Sequence, residues 1–234
     1  MTVQAKKPMH PPQTNTQPDY AALILAGGRG SRMGGIDKGL VKWGRQPLVH
    51  AVLTRLQSQT LPPSSIWISA NRNDRQYAQF GATAVVKDER RDYVGPLAGI
   101  ESTLRQVNSP LLLVVPCDTP LLPVDLFEAL YQPMQQDASV SATYAATLPD
   151  VSTRSSLMMG TSKTDIDQHV QAHPLCSLLR TTLLADLSNY LDQDQRRVMG
   201  WMQHIDAKAV TFDDRQAFAN MNDLQTLAAT RSAP

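Results

Sequence analysis

Residues 20–40 read YAALILAGGRGSRMGGIDKGL. Tyr20 to Ala26 is an unbroken apolar run of strand length, the pattern of a strand covered on both faces. Six glycines follow between positions 27 and 39, with Arg29, Arg32 and Lys38 among them. Glycine tolerates positive φ, so backbone N–H groups in such a loop can turn toward an anion. Three cations on one flexible loop repel one another unless an anion or carboxylates lie between them. The stretch therefore predicts a phosphate site at the mouth of a buried strand, and a ligand-free connector is the competing reading of the loop alone. Counting excludes two common phosphate loops. Gly30 and Gly35 have the Walker spacing but Ile36 stands where lysine is needed, and Gly28-x-Gly30 runs into Met33 instead of a third Rossmann glycine.

Outward from this stretch, short apolar runs alternate with helical periodicity. Strands are predicted at Ile66–Ser69, Thr83–Val86 and Leu111–Val115, with a brief extended piece over Leu40–Trp43. Apolar residues at 48, 49, 52, 53 and 56 share one helical face. Gly95-Pro96 leads into a helix over Leu97–Val107, and Pro123 opens another with Leu126, Phe127 and Leu130 inward. Later come a strand over Ser139–Ala146, a polar mobile loop over 147–171, a returning strand over Leu175–Leu179 and a helix over Thr181–Leu191. A last strand, Ala209–Phe212, precedes a terminal helix over Asp223–Ala229. Continuous apolar strands alternating with helices predict an α/β fold with a mostly parallel sheet covered on both sides. Such sheets bind ligands beyond the carboxyl ends of their strands. The segments after Ala26 and after Val115 both fall there, which predicts one shared site.

Composition narrows the partners. The 234 residues carry a net charge of +1, with 42% hydrophobic and 18% charged residues, ordinary for a globular protein and without a field to grip nucleic acid. No apolar run approaches the ~18 residues of a membrane span. Residues 1–18 lack the apolar core of a signal peptide and are expected to be a disordered tail, which predicts a cytoplasmic protein with one domain over 19–230. Cys117 and Cys176 are the only cysteines and form no C-x-x-C pair, so neither zinc nor a redox motif is predicted.

The motif Leu25-Ala26-Gly27-Gly28, then Arg32-Met33-Gly34, then Lys38, resembles the signature of nucleotidyltransferases that use nucleoside triphosphates. Its closer form, RMGGIDKGL, resembles the molybdenum cofactor guanylyltransferases. SANR at 69–72, VVKD at 85–88, YVGPLAGI at 93–100 and PCDTPLLP at 116–123 follow in that family's order. So do HP at 173–174, RRVM at 196–199 and FANMN at 218–222, and the resemblance runs from about Leu23 to Leu227. It implies a three-layer α/β/α, Rossmann-like fold of the nucleotide-diphospho-sugar-transferase type. It also implies transfer of GMP from GTP to the terminal phosphate of molybdopterin, with pyrophosphate released.

That chemistry asks for Mg²⁺, with Mn²⁺ as a substitute, and fixed positive charge, because two anions must meet. The resemblance assigns Lys38 to the phosphates and gives Leu25, Ala26, Gly27 and Gly28 main-chain contacts with the nucleotide. Asp118, after an apolar strand, is the metal-ligand candidate, and as a residue alone it also reads as a turn carboxylate. Arg32 contacts phosphate or packs locally. Asp88 and Asn71 match nucleotide-contacting positions, and a carboxylate at 88 suits either guanine donors or ribose hydroxyls. Ser69 stands where the family often has asparagine and is a shorter nucleotide contact. Asn220 and Asn222 match asparagines near the pterin or metal, and capping of the final helix is the competing reading. Rival readings are cytidylyl transfer to the same cofactor, a sugar-phosphate nucleotidyltransferase and a non-enzymatic nucleotide-binding regulator. The oxygen-sensitive acceptor implies transient contacts with cofactor-making and cofactor-accepting proteins.

Overall fold

In the computed structural model, which describes residues 17–26, 37–90, 95–148 and 170–220, the apolar run after Tyr20 is strand β1, Ala21–Leu25. All of its residues are buried, and alternation sorts them to two cores. Ala22 and Ile24 face one, Ala21, Leu23 and Leu25 the other.

The chain continues through a short hairpin, β2 (Lys42–Trp43) and β3 (Gln46–Pro47), into α1 (Leu48–Gln57). Then come β4 (Ser65–Ser69), α2 (Asp74–Tyr77), β5 (Ala84–Val86), α3 (Pro96–Leu104), β6 (Leu111–Pro116) and α4 (Leu126–Gln136). The last part holds β7 (Ala142–Thr147), β8 (Gln171–Arg180), α5 (Leu184–Asp192), α6 (Val198–His204) and β9 (Lys208–Phe212).

Seven strands form one sheet in the order β5-β4-β1-β6-β8-β7-β9. Every neighbouring pair is parallel except β6–β8 and β7–β8, so β8 alone runs against the rest. One face is covered by α1, α2 and α4 through Val49, Val52, Leu56, Tyr77, Phe127 and Leu130. The other is covered by α3, α5 and α6 through Leu97, Ile100, Leu187, Tyr190, Trp201 and Met202. Each fully buried Leu or Phe stabilises this sandwich by about 1.5–3 kcal/mol relative to exposure. The α/β fold with a mostly parallel sheet is as expected. Among the described residues no helix is long and apolar enough to cross a membrane.

Several boundaries differ from the expectation. The extended piece at Leu40–Trp43 is instead a 3-10 turn over Lys38–Leu40, then β2, which closes on β3 through Gly44 at φ 61°. Pro123 stands ahead of α4 rather than opening it, because Val124 and Asp125 form a turn first. The helix expected to reach Val107 ends at Leu104. The strand expected from Ser139 starts at Ala142, after a turn in which Asp137 accepts from the Ser139 N–H at 2.9 Å. Strand β8 reaches back to Gln171, across an irregularity opposite Tyr144 and Ala145 that absorbs Pro174. Helices α2 and α6 were not anticipated. Positions 1–16, 149–169 and 223–229, hence most of the expected tail and polar loop and all of the terminal helix, lie outside the described residues.

Candidate active site

The strand register sets the site. Leu25 of β1 is level with Ser69 of β4 and Pro116 of β6, and Ser69 is level with Val86 of β5. Two residues past that row lie Asn71, Asp88 and Asp118, so three polar groups distant in sequence leave one edge at one height. The row is closed by main-chain bonds: Ala26 N–H donates to Ser69 at 2.9 Å, Ala70 N–H to Val86 at 2.9 Å and Cys117 N–H to Leu25 at 3.1 Å. The Ala26 N–H and the Leu25 carbonyl are thereby engaged in the sheet.

Lys38 arrives from the 3-10 turn and closes on Asp118. Its ammonium lies 3.3 Å from Asp118 Oδ2, joining positions 80 residues apart. The lysine side chain is 40% exposed and the aspartate 20%, so the pair faces outward from a firm base. Beneath it the Cys117 thiol is buried, and burial first, then the nearby Asp118 and Asp37 carboxylates, push its pKa up. It stays a protonated packing group.

Asp88 is held from two directions. Its main-chain N–H donates to Asn71 Oδ1 at 2.8 Å, while Asn71 Nδ2 donates to Asp88 Oδ2 at 2.7 Å. The loop beyond is fastened to α3. Glu89 N–H donates to Ser102 Oγ at 3.0 Å, and Arg90 grips Glu101 with Nε at 2.6 Å and Nη2 at 2.9 Å. Burial raises the Asp88 pKa, and the Asn71 amide works against that rise. Asn71 is thus the brace of Asp88. Ser69 is 2% exposed and its side chain lies against α3, where a Cβ on Gly99 would overlap Ser69 Oγ.

Along the same edge β8 begins, and His173 Nε2 meets Thr147 Oγ1 at 3.0 Å. The ring stacks on Phe218 at 5.0 Å, and burial, then the Arg215 charge, lower its pKa. The histidine is therefore neutral at pH 7. Asn220 lies two residues past the 3-10 turn Gln216–Phe218 and is the last described residue. The expected contacts at Gly27, Gly28, Arg32 and Asn222 lie outside the described residues. Sequence reading passed over Asp37, Asn73 and Tyr77, which hold the lysine turn. The only signal was the aspartate directly before Lys38.

Among the described residues no three His, Cys, Asp or Glu side chains converge as a protein metal cage. A mostly buried carboxylate at a sheet edge, paired with a lysine that phosphate can compete for, still fits Mg²⁺. That ion is often held by one or two carboxylates together with substrate phosphates and water.

Comparison with known proteins identifies the family. The MobA-like NTP transferase domain matches residues 22–208. The molybdenum cofactor guanylyltransferase of Polynucleobacter asymbioticus is 37% identical over 92% of this chain and 97% of its own length. That of Acidovorax sp. strain JS42 is 40% identical over 90% and 94%. In fold, the chain resembles the molybdopterin-guanine dinucleotide biosynthesis protein A of Archaeoglobus fulgidus, with TM-score 0.62 and 18% identity over 91% and 98% of the two chains. It also resembles a CMP:2-keto-3-deoxy-manno-octonic acid synthetase solved with CTP, with TM-score 0.70 and 12% identity over 91% and 99%. The chain is a nucleotidyltransferase and belongs to the molybdenum cofactor guanylyltransferase family.

Proposed function

We propose that this protein transfers GMP from GTP to the terminal phosphate of molybdopterin, forming the guanine dinucleotide cofactor. The observation that carries the reading is the single edge on which Lys38, Asp118, Asp88 and Asn71 meet in a chain of this family. An oxygen of the acceptor phosphate attacks the α-phosphorus of GTP. The bond from that phosphorus to the α,β-bridging oxygen breaks, and pyrophosphate leaves with the electron pair. The nucleophile is already an anion at neutral pH, so no strong base is needed.

The barrier is the approach of like charges, and fixed positive charge lowers it. Lys38 leaves Asp118 to contact the triphosphate, so its ammonium offsets charge as it moves to the leaving group. Asp118 would hold Mg²⁺, and that ion would supply positive charge to screen the phosphate oxygens. Asp88, braced by Asn71, has its second carboxylate oxygen available to accept from guanine N1–H and N2–H₂ or from ribose hydroxyls. The reaction draws on GTP and is placed in the cytoplasm.

Adenine lacks the N2 donors and reverses the polarity at N1, so a site built for guanine leaves polar groups unpaired at about 1–3 kcal/mol each. Pyrophosphate release is measured with each of the four triphosphates, with and without molybdopterin. GTP is expected to exceed CTP and ATP at least about tenfold, and only with acceptor present. A preference for CTP overturns the guanylyl assignment.

A further inference from the structure

Lys38 begins a three-residue 3-10 turn, and the residue before it caps that turn: Asp37 Oδ1 accepts from Gly39 N–H at 3.3 Å. The same carboxylate does more than cap. Tyr77 donates its hydroxyl to Oδ1, and Asn73 Nδ2 donates to Oδ2 at 3.0 Å. Both donors come from the connection between β4 and β5, where Asn73 takes a left-handed conformation, φ 55°, to start α2. The Tyr77 ring is wholly buried in the core beneath the sheet edge. Gly39 lies flat against it, since a Cβ there would overlap the hydroxyl oxygen and stand 3.2 Å from two ring carbons.

Capping alone needs one acceptor for one N–H, which a serine or asparagine supplies. Here one carboxylate collects three donors, one of them from a fully buried tyrosine, and the residue on each side of Lys38 is pinned. Lysine has four rotatable side-chain bonds and high rotamer entropy, so the reach of its ammonium depends on where its backbone is fixed. The turn is fixed to the core, and the ammonium stands at Asp118.

We infer that Asp37 and Tyr77 are positioning residues for Lys38: the buried tyrosine, through Asp37 and the close approach of Gly39, sets the turn from which the ammonium reaches the phosphates beside Asp118. The inference rests on Lys38 being the phosphate-contacting cation. Neither Asp37 nor Tyr77 touches substrate in this arrangement, and their effect passes through the lysine.

Tyr77→Phe keeps the ring and removes the hydroxyl. It is compared with Lys38→Met and with the double variant by pyrophosphate release from GTP in the presence of molybdopterin, with melting temperature as a control. Tyr77→Phe is expected to slow transfer about tenfold, the scale of one hydrogen bond to a charged group. It is expected to add nothing once Lys38 is methionine, because no ammonium remains to be placed. A normal rate in Tyr77→Phe, or losses that multiply in the double variant, overturns the inference and leaves guanylyl transfer standing. A second readout needs no turnover: NMR of protein carrying ¹³Cε-lysine, with the Lys38 signal identified by its loss in Lys38→Met. A held side chain gives two distinct ε-proton shifts, and Tyr77→Phe should merge them toward the position of free surface lysines. An unchanged Lys38 signal overturns the inference even if wild type transfers no guanylyl group, a result that would refute the proposed function separately.

Discussion

Glu101→Gln tests the clamp behind Asp88, and the structure sets its size. Glu101 sits on α3 with its side chain 2% exposed. Arg90 contacts it with two nitrogens at 2.6 and 2.9 Å, Arg105 Nη2 at 2.9 Å and Ser188 Oγ at 2.7 Å. Burial alone would push its carboxyl up; the hydrogen bonds from Arg90, Ser188 and Arg105 outweigh burial and bring it from 4.5 down to about 2. At ~1.4 kcal/mol per tenfold, that fall is worth about 3 kcal/mol of stability at pH 7. Breaking a buried pair from one side costs ~3–5 kcal/mol, the same scale. Because the folded value lies below the unfolded one, the contribution is complete above about pH 5 and fades as pH falls toward 2. At pH 4 it should be smaller by about 0.8 kcal/mol. Urea unfolding of wild type and Glu101→Gln at pH 7 and pH 4 measures both numbers. A loss below about 1 kcal/mol at pH 7, or a difference that does not shrink on acidification, refutes the reasoning. Arg90 lies two residues past Asp88, so the variant should also narrow the preference for GTP over CTP.

Asp118→Asn should reduce transfer at least about 10²-fold with little change in melting temperature, since the amide keeps the shape and loses the charge. Near-normal turnover at saturating Mg²⁺ would reject the metal role. Lys38→Ala should weaken GTP binding and slow transfer together, with Lys38→Met as the volume control; unchanged affinity by calorimetry together with an unchanged rate would reduce Lys38 to a loop residue. Gly99→Ala should cost about 1–3 kcal/mol, because the new Cβ overlaps Ser69 Oγ and lies 3.1 Å from Ser69 Cβ and 3.3 Å from Leu25 Cδ2. Adding Ser69→Ala should return part of that loss in chemical denaturation, and no recovery would place the strain elsewhere.

The elements most legible in the sequence are those whose burial leaves a one-dimensional trace. Strands β1 and β6 are buried on both faces and read as unbroken apolar runs, and α1 shows its inner face at 48, 49, 52, 53 and 56. Helix α2 has only four residues, too few for periodicity to register. Helix α6 has seven and contains Gly200, although Val198, Trp201 and Met202 carry the right spacing. The first half of β8 is partly exposed and holds Pro174, features of a loop, and its pairing with β7 runs across an irregularity at Tyr144 and Ala145. At the site, Lys38 and Asp118 stand out as residue types in quoted motifs. Their meeting across 80 positions is a property of sheet order, which no local pattern encodes. Asp37 is adjacent to Lys38 and still escaped notice, because its role depends on Tyr77, a residue 40 positions away and wholly buried.

Three carboxylates near one edge would defeat an anion site unless each were answered, and each is answered differently. Asp37 receives neutral donors from Gly39, Tyr77 and Asn73, so its charge is spent inside the protein. Asp88 has one oxygen filled by Asn71 and is raised in pKa by burial, which leaves an oriented acceptor suited to neutral N–H or O–H donors of a base or ribose. Asp118 is answered by a full charge, the Lys38 ammonium, in a pair exposed enough for a triphosphate to compete for the lysine. Only at Asp118 is the partner a charge that another anion can draw away, and a carboxylate left beside phosphate without it calls for a cation between them. The order of events follows from that imbalance. Under the proposed function, nucleotide would draw Lys38 off Asp118, and the freed carboxylate would then complete a Mg²⁺ site with the phosphates, so the protein supplies one half of that site and the substrate the other.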